Sequence, residues 1–154
     1  GITRYRVNTA EWLIYDRKKP PYWAFEKGVY MEQFDSIFNV EASIKADTAY
    51  YYDKERLWKL IGNVDIQNRK GERFNTELLY WNEATQKVYS DKFIRIQQPD
   101  RIITGHGFDS NQQMTIYTIR NIEGIFYVDE EASSGPPQPE TKALPDSVNK
   151  DTAK

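Results

Sequence analysis

The chain has 154 residues, about one domain's worth; 39% are hydrophobic and 29% charged, which suits a packed core and excludes a fully disordered chain. A net charge of −2 supplies no global basic field for nucleic acid. The absence of cysteine excludes a disulfide scaffold, thiol catalysis and a cysteine-based metal site, and no apolar run reaches the roughly 18 residues of a membrane-spanning helix.

The chain begins at Gly1-Ile2-Thr3 and enters a strand pattern almost at once, with no visible signal peptide, so an upstream segment is expected. A first strand is expected around Tyr5 to Tyr15. It contains Ala10-Glu11-Trp12-Leu13-Ile14-Tyr15, a phrase that returns as Ala46-Asp47-Thr48-Ala49-Tyr50-Tyr51 and as Thr76-Glu77-Leu78-Leu79-Tyr80-Trp81. Each copy runs small, acidic, any, aliphatic, any, aromatic. Residues two apart in a strand share a face, so the acid, the aliphatic and the aromatic are expected on one side. Repetition of this kind marks stacked, similar units.

Arg17-Lys18-Lys19-Pro20-Pro21 reads as an exposed loop. Beyond it, Phe38, Val40, Ala42, Ile44 and Ala46 alternate with mostly polar neighbours, as do Trp58, Leu60, Gly62, Val64 and Ile66. Val88, Ser90, Lys92, Ile94 and Ile96 repeat the pattern. Met114, Ile116 and Thr118 are expected to face one way, Tyr117 and Ile119 the other. Period two argues half-buried strands. Turn signals fall at 53–56, 68–71, 82–85, 98–100 and 121–124, where Asn, Asp and Gly supply unusual dihedrals. Turns at such short intervals suggest an all-β sandwich, barrel or jelly roll. Residues 1–130 are expected to form this domain. Residues 131–154, opening Glu131-Ala132-Ser133-Ser134-Gly135-Pro136-Pro137, read as a Pro/Ser-rich tail without regular structure.

Little in the chain points to catalysis. The single histidine, His106, has no serine or cysteine in a nucleophile-like context and, without cysteine partners, supports no metal site. No cofactor is called for. Gly105 and Gly107 are too few for a phosphate-binding fingerprint and suit a bulge or a close backbone approach. Glu11, Asp47 and Glu77 invite comparison with the paired carboxylates of glycosidases. Their recurrence at equivalent positions is better explained by a rule of the scaffold, because an active site needs residues of unlike role. Arg4-Tyr5-Arg6 and Lys92-Phe93-Ile94-Arg95 mix bases with aromatics, but the balance of charge favours a solvated strand face over single-stranded nucleic acid.

The order Leu60-Ile61-Gly62-Asn63-Val64-Asp65-Ile66, Gly71, then Asn75-Thr76-Glu77-Leu78-Leu79-Tyr80-Trp81 resembles the OstA-like proteins of lipopolysaccharide export. Ile103-Thr104-Gly105-His106-Gly107-Phe108-Asp109-Ser110-Asn111, and Tyr117-Thr118-Ile119 through Gly124-Ile125-Phe126, are similar to the LptC branch. The resemblance covers roughly residues 2 to 129. It implies a twisted β-jellyroll, open along one side, periplasmic and tethered to the inner membrane by an N-terminal helix that this chain lacks. It further implies a non-enzymatic protein that takes lipopolysaccharide from an inner-membrane ABC transporter and passes it to a periplasmic bridge protein.

On this reading two apolar sheet faces enclose a trough for acyl chains. The expected lining is Leu13, Tyr15, Ala49, Tyr51 and Val64, continuing with Ile66, Leu79, Trp81, Ile94 and Ile96. Unpaired edge strands would bind partners by strand addition. The N-terminal edge (Tyr5, Val7) is expected to meet the transporter, and the C-terminal edge (Ile116, Tyr117, Ile119, Phe126) the bridge. A proline at Tyr117 is expected to weaken bridge binding without unfolding the domain. Two other readings remain open. A glycan-binding β-sandwich would use Trp12, Trp23, Trp58 and Trp81 as sugar platforms, which must then face solvent. A carboxylate hydrolase would need Asp47 and Glu77 to converge in one pocket.

Overall fold

The computed structural model describes residues 4–128, and all regular structure among them is β. In chain order the strands are β1 Arg4–Thr9, β2 Leu13–Tyr15, β3 Tyr22–Phe25, β4 Val29–Phe34, β5 Val40–Ala46 and β6 Thr48–Tyr52. The long strands follow: β7 Leu57–Asn68, β8 Arg73–Asn82, β9 Lys87–Gln97, β10 Arg101–Asn111 and β11 Tyr117–Tyr127. The expected tail and the first three residues lie outside the described part.

All pairing is antiparallel, along the path β1-β4-β5-β7-β8-β9-β10-β11, with β2-β3-β6 joined to β7 beside it. The two rows belong together. Residues 57–61 of β7 pair with β6, and residues 65–68 with β5. β5 runs into β6 across Asp47 alone, and β3 into β4 and β1 into β2 across short breaks. The fold is therefore a stack of eight bent rungs, the two arms of each facing one another: an open antiparallel β-jellyroll.

Bulges set the crease where each rung bends. Registers shift between Ile61 and Val64, between Thr76 and Tyr80, between Thr104 and Gly105, and between His106 and Phe108. An extra residue on one strand bends it and sharpens its twist. Two glycines are needed there. Gly62 has φ +86°, and its carbonyl accepts the Asp47 N–H at 2.9 Å. A Cβ on Gly105 would stand 2.4 Å from the Asn121 carbonyl oxygen. The bulge or close approach expected at Gly105 and Gly107 is found.

The arms bury one apolar core. Trp58, Leu60, Val64 and Ile66 keep even-numbered alternation through β7, as do Val88, Ser90, Ile94 and Ile96 through β9. β8 changes parity, burying Phe74 and Thr76 before the bulge and Leu79 and Trp81 after it. Contacts cross from arm to arm: Tyr5 meets the Trp81 ring at 5.3 Å, and Tyr117 meets Phe74 edge-on at 5.1 Å.

Four expectations need correction. The first strand is two, β1 and β2, because the rung bends between Thr9 and Leu13, where the Thr9 hydroxyl donates to the Gly28 carbonyl. Residues 121–124 are no turn but part of β11, whose register change against β10 absorbs the Asn and Gly. Phe38 and Val40 are exposed, since Phe38 sits at positive φ in the β4–β5 turn. Met114 and Ile116 precede β11, and Met114 is buried while Ile116 is exposed.

Candidate functional site

The crease explains the repeated acids. Glu11, Asp47 and Glu77 each stand where a rung bends, so the turn of the backbone carries them off the inward face of their aliphatic and aromatic companions. Asp47 and Glu77 meet at Asn63, whose side-chain amide donates to Asp47 at 2.8 Å and whose backbone N–H donates to Glu77 at 3.3 Å. Their common partner is a bulge residue, so both serve the bend. Glu11 is elsewhere, 3.7 Å from Lys27.

Within the arms, eight of the ten expected trough residues are sealed. Ala49, Tyr51, Val64, Ile66, Leu79, Trp81, Ile94 and Ile96 are buried, while Leu13 and Tyr15 are half-buried in β2. Space between the arms near Tyr5, Met31 and Trp81 is about 10 Å³, room for no more than one water. The interior between the arms is packed.

The long side opposite the crease is the mouth, closed by side chains rather than by chain connections. At one end Glu83, in the β8–β9 turn, accepts from the Tyr51 hydroxyl at 2.8 Å and the Trp58 indole at 3.2 Å. Tyr5 reaches the same carboxylate from the other arm; burial first, and then the hydrogen bond to Glu83, push its phenol well above the ordinary tyrosine range. Tyr51 is pushed the same way by the same two causes. At the other end Asn68 donates to the Met114 carbonyl at 2.7 Å, Gln98 donates to the Tyr117 hydroxyl at 2.6 Å, and that hydroxyl donates to Glu72 at 3.1 Å. Sequence alternation could not find Glu83, Asn68 or Gln98, because they lie in turns or at strand ends.

Among the described residues both ends of the stack are unpaired: β1 pairs only with β4, and β11 only with β10. Tyr5, Val7, Tyr117 and Ile119 turn their side chains to the core, and Phe126 is half-buried, so these residues offer the edges mainly through their backbones. Ile116 is 76% exposed in the turn before β11. The outward side chains of the C-terminal edge also include Ile122, Ile125 and Tyr127, which the sequence reading did not single out.

The tryptophans do not form a solvent platform. Trp58 and Trp81 are sealed, Trp23 is half-buried, and the exposed Trp12 packs against Trp23 and Phe25. Outside the arms, beside the crease, lies a polar groove of about 930 Å³ with Asn63, Asn75 and Arg95 in its wall. Among the described residues no helix is long and apolar enough to cross a membrane, and no group of three or more histidines and acids is placed to hold a metal.

No curated protein matches the chain's sequence. The family model described as lipopolysaccharide-assembly, LptC-related, matches residues 15–127, well over half of the chain and almost all of the jellyroll. That family is a periplasmic component of lipopolysaccharide transport. A stack of bent rungs with an apolar interior and two unpaired ends agrees with the match, and the chain belongs to the LptC family.

Proposed function

We propose that the chain takes lipopolysaccharide from an inner-membrane ABC transporter and relays it to a periplasmic bridge protein, without catalysing a reaction. The observation that carries this reading is the continuous apolar interior running between two free stack ends. The transporter pairs with the β1 edge around Tyr5 and Val7, and the bridge extends the β11 edge by strand addition. A helix upstream of residue 1 holds the domain at the inner membrane.

Acyl chains enter by the mouth and lie on Leu13, Tyr15, Ala49, Tyr51 and Val64, then on Ile66, Leu79, Trp81, Ile94 and Ile96. Burying a tail gains about 0.8 kcal/mol per methylene. Parting the arms exposes core surface at a similar cost per unit area, about 25 cal/mol per Å². The two nearly offset, so the lipid is held without being trapped. The hydrogen bonds of Tyr5 to Glu83, of Asn68 to the Met114 carbonyl and of Tyr117 to Glu72 join the two arms and are those that opening must exchange for water.

Single photo-crosslinkers at Tyr51, Trp81 and Ile94, activated in cells, test the reading. Lipopolysaccharide adducts at these buried positions are expected, with none at the exposed Thr118. Adducts only at exposed positions would remove the interior path.

A further inference from the structure

The outer groove has an imbalance that the relay does not use. Four carboxylates line it, and each already has a partner. Asp65 accepts from Arg73 at 3.1 Å and Asp91 pairs with Arg120 at 2.6 Å, whereas Asp47 and Glu77 are hydrogen-bonded to the neutral Asn63. Three cations also line it: Lys45, Lys92 and Arg95. Among the described residues, none of their side chains has a hydrogen-bonding or ion-pair partner. Arg95 is half-buried on β9; burial, and then the nearby Arg73, lower its pKa. A half-buried cation without a direct ion-pair partner is costly unless a ligand supplies one.

Strand register brings these groups together. Lys45, Asp65, Asn75 and Arg95 sit side by side on β5, β7, β8 and β9. Neighbouring strands are about 4.8 Å apart, so Lys45 and Arg95 flank a span of roughly 14 Å that their long side chains can close from both ends. Between them Asn75 and the Asn63 side-chain carbonyl offer partners for hydroxyl groups. Phe93, 46% exposed and edge-on to His106 at 5.6 Å, adds an apolar flank. A groove of this volume is the size of a small-ligand site.

We propose that this groove is a binding site for a phosphorylated saccharide, with Arg95 and Lys45 on the phosphate and the Asn63–Asn75 wall on the sugar hydroxyls. Lys92 and Phe93 close its crease side. The site lies on the outer surface of the arms and does not depend on the interior taking lipid.

The test is an amide-resolved NMR titration of the whole chain with glucose 1-phosphate, beside glucose and inorganic phosphate alone. Saturable shifts at Asn63, Asn75 and Arg95 are expected, and each half-ligand should bind more weakly. Loss of one charge-assisted contact in Arg95→Gln should weaken binding about tenfold or more. Lys45→Gln, at an exposed position, should do the same and keeps the test open should Arg95→Gln fail to fold. A delipidated phosphorylated core oligosaccharide binding more tightly than glucose 1-phosphate supports the site and names the carried lipid's headgroup as its source. Equal binding supports it with free sugar phosphates as ligands. Shifts that are absent, spread over the surface, unmoved by both substitutions, or equal for inorganic phosphate would overturn the assignment. Because the probes carry no acyl chain, that failure would leave the interior relay untouched.

Discussion

Replacing Ile125 by proline should disable the β11 edge while leaving the domain folded. The Val128 N–H donates to the Asp100 carbonyl at 2.9 Å, and Phe126 and Ile125 stand opposite Ile102 and Ile103. Bonded and non-bonded pairs alternate in an antiparallel ladder. The amide of Phe126 therefore points into the sheet, and those of Ile125 and Tyr127 point out to the free edge. Ile125 is also 44% exposed, so Ile125→Pro removes no ladder bond and little core, a loss of about 1 kcal/mol or less. Phe126→Pro breaks a ladder bond worth about 1 kcal/mol and removes a half-buried ring worth roughly 1.5 kcal/mol more. Tyr117→Pro, the choice that sequence alone suggests, is less clean. It also takes away the phenol that packs on Phe74 and bonds Gln98 and Glu72. Urea unfolding should thus rank Ile125→Pro near the unsubstituted chain and Phe126→Pro well below it. A pull-down on the bridge protein should show Ile125→Pro weakened about tenfold, the equivalent of one lost backbone bond. A folded Ile125→Pro chain that still binds the bridge fully would refute strand addition here. Equal destabilisation by both prolines would refute the deduced direction of the amides.

Three further outcomes are expected. Gly62→Ala should lower stability by roughly 1–3 kcal/mol in thermal or urea unfolding, because φ is +86° and the new Cβ would stand 2.9 Å from an Asp47 carboxylate oxygen. Glu83→Ala leaves the sealed Trp58 indole without its acceptor and should cost about 1–3 kcal/mol, whereas Glu83→Gln retains one acceptor oxygen and should cost less. Asp35 accepts from the Asn39 and Ile37 amides in the β4–β5 turn, and the Asn39 bond foremost holds its carboxyl below the usual range. A depressed acid stabilises above its unfolded pKa, near 4, and that contribution fades as pH falls through the lower folded value. Asp35→Asn should therefore flatten the acid limb of a stability-versus-pH curve; an unchanged limb would show that other acids set it.

Strand type and stacking were legible because β7 and β9 keep one parity from end to end, so Trp58 to Ile66 and Val88 to Ile96 read as single buried faces. β8 was legible only in halves. Its bulge shifts the inward set from Phe74 and Thr76 to Leu79 and Trp81, and nothing in the local sequence marks the slip. The acids of the repeat were visible as a recurrence, but their place at the bends was not, since bending is decided by pairing between strands. Asn121 to Gly124 imitates a turn because Asn and Gly suit a bulge as well as a turn. The Glu83 and Tyr117 closures and the Lys45–Arg95 row depend on register across distant segments, which no linear pattern carries.

The crease makes the molecule mechanically one-sided, like a book bound along its spine. Every page is a single peptide crossing the binding, so the two covers cannot drift apart as rigid bodies; they can only swing. The outer margin is fastened by a few clasps at Tyr5, Asn68 and Tyr117. Cutting those clasps would free the margin and leave page order intact, because the order of the rungs is held by the ladder of strand pairs and not by the margin.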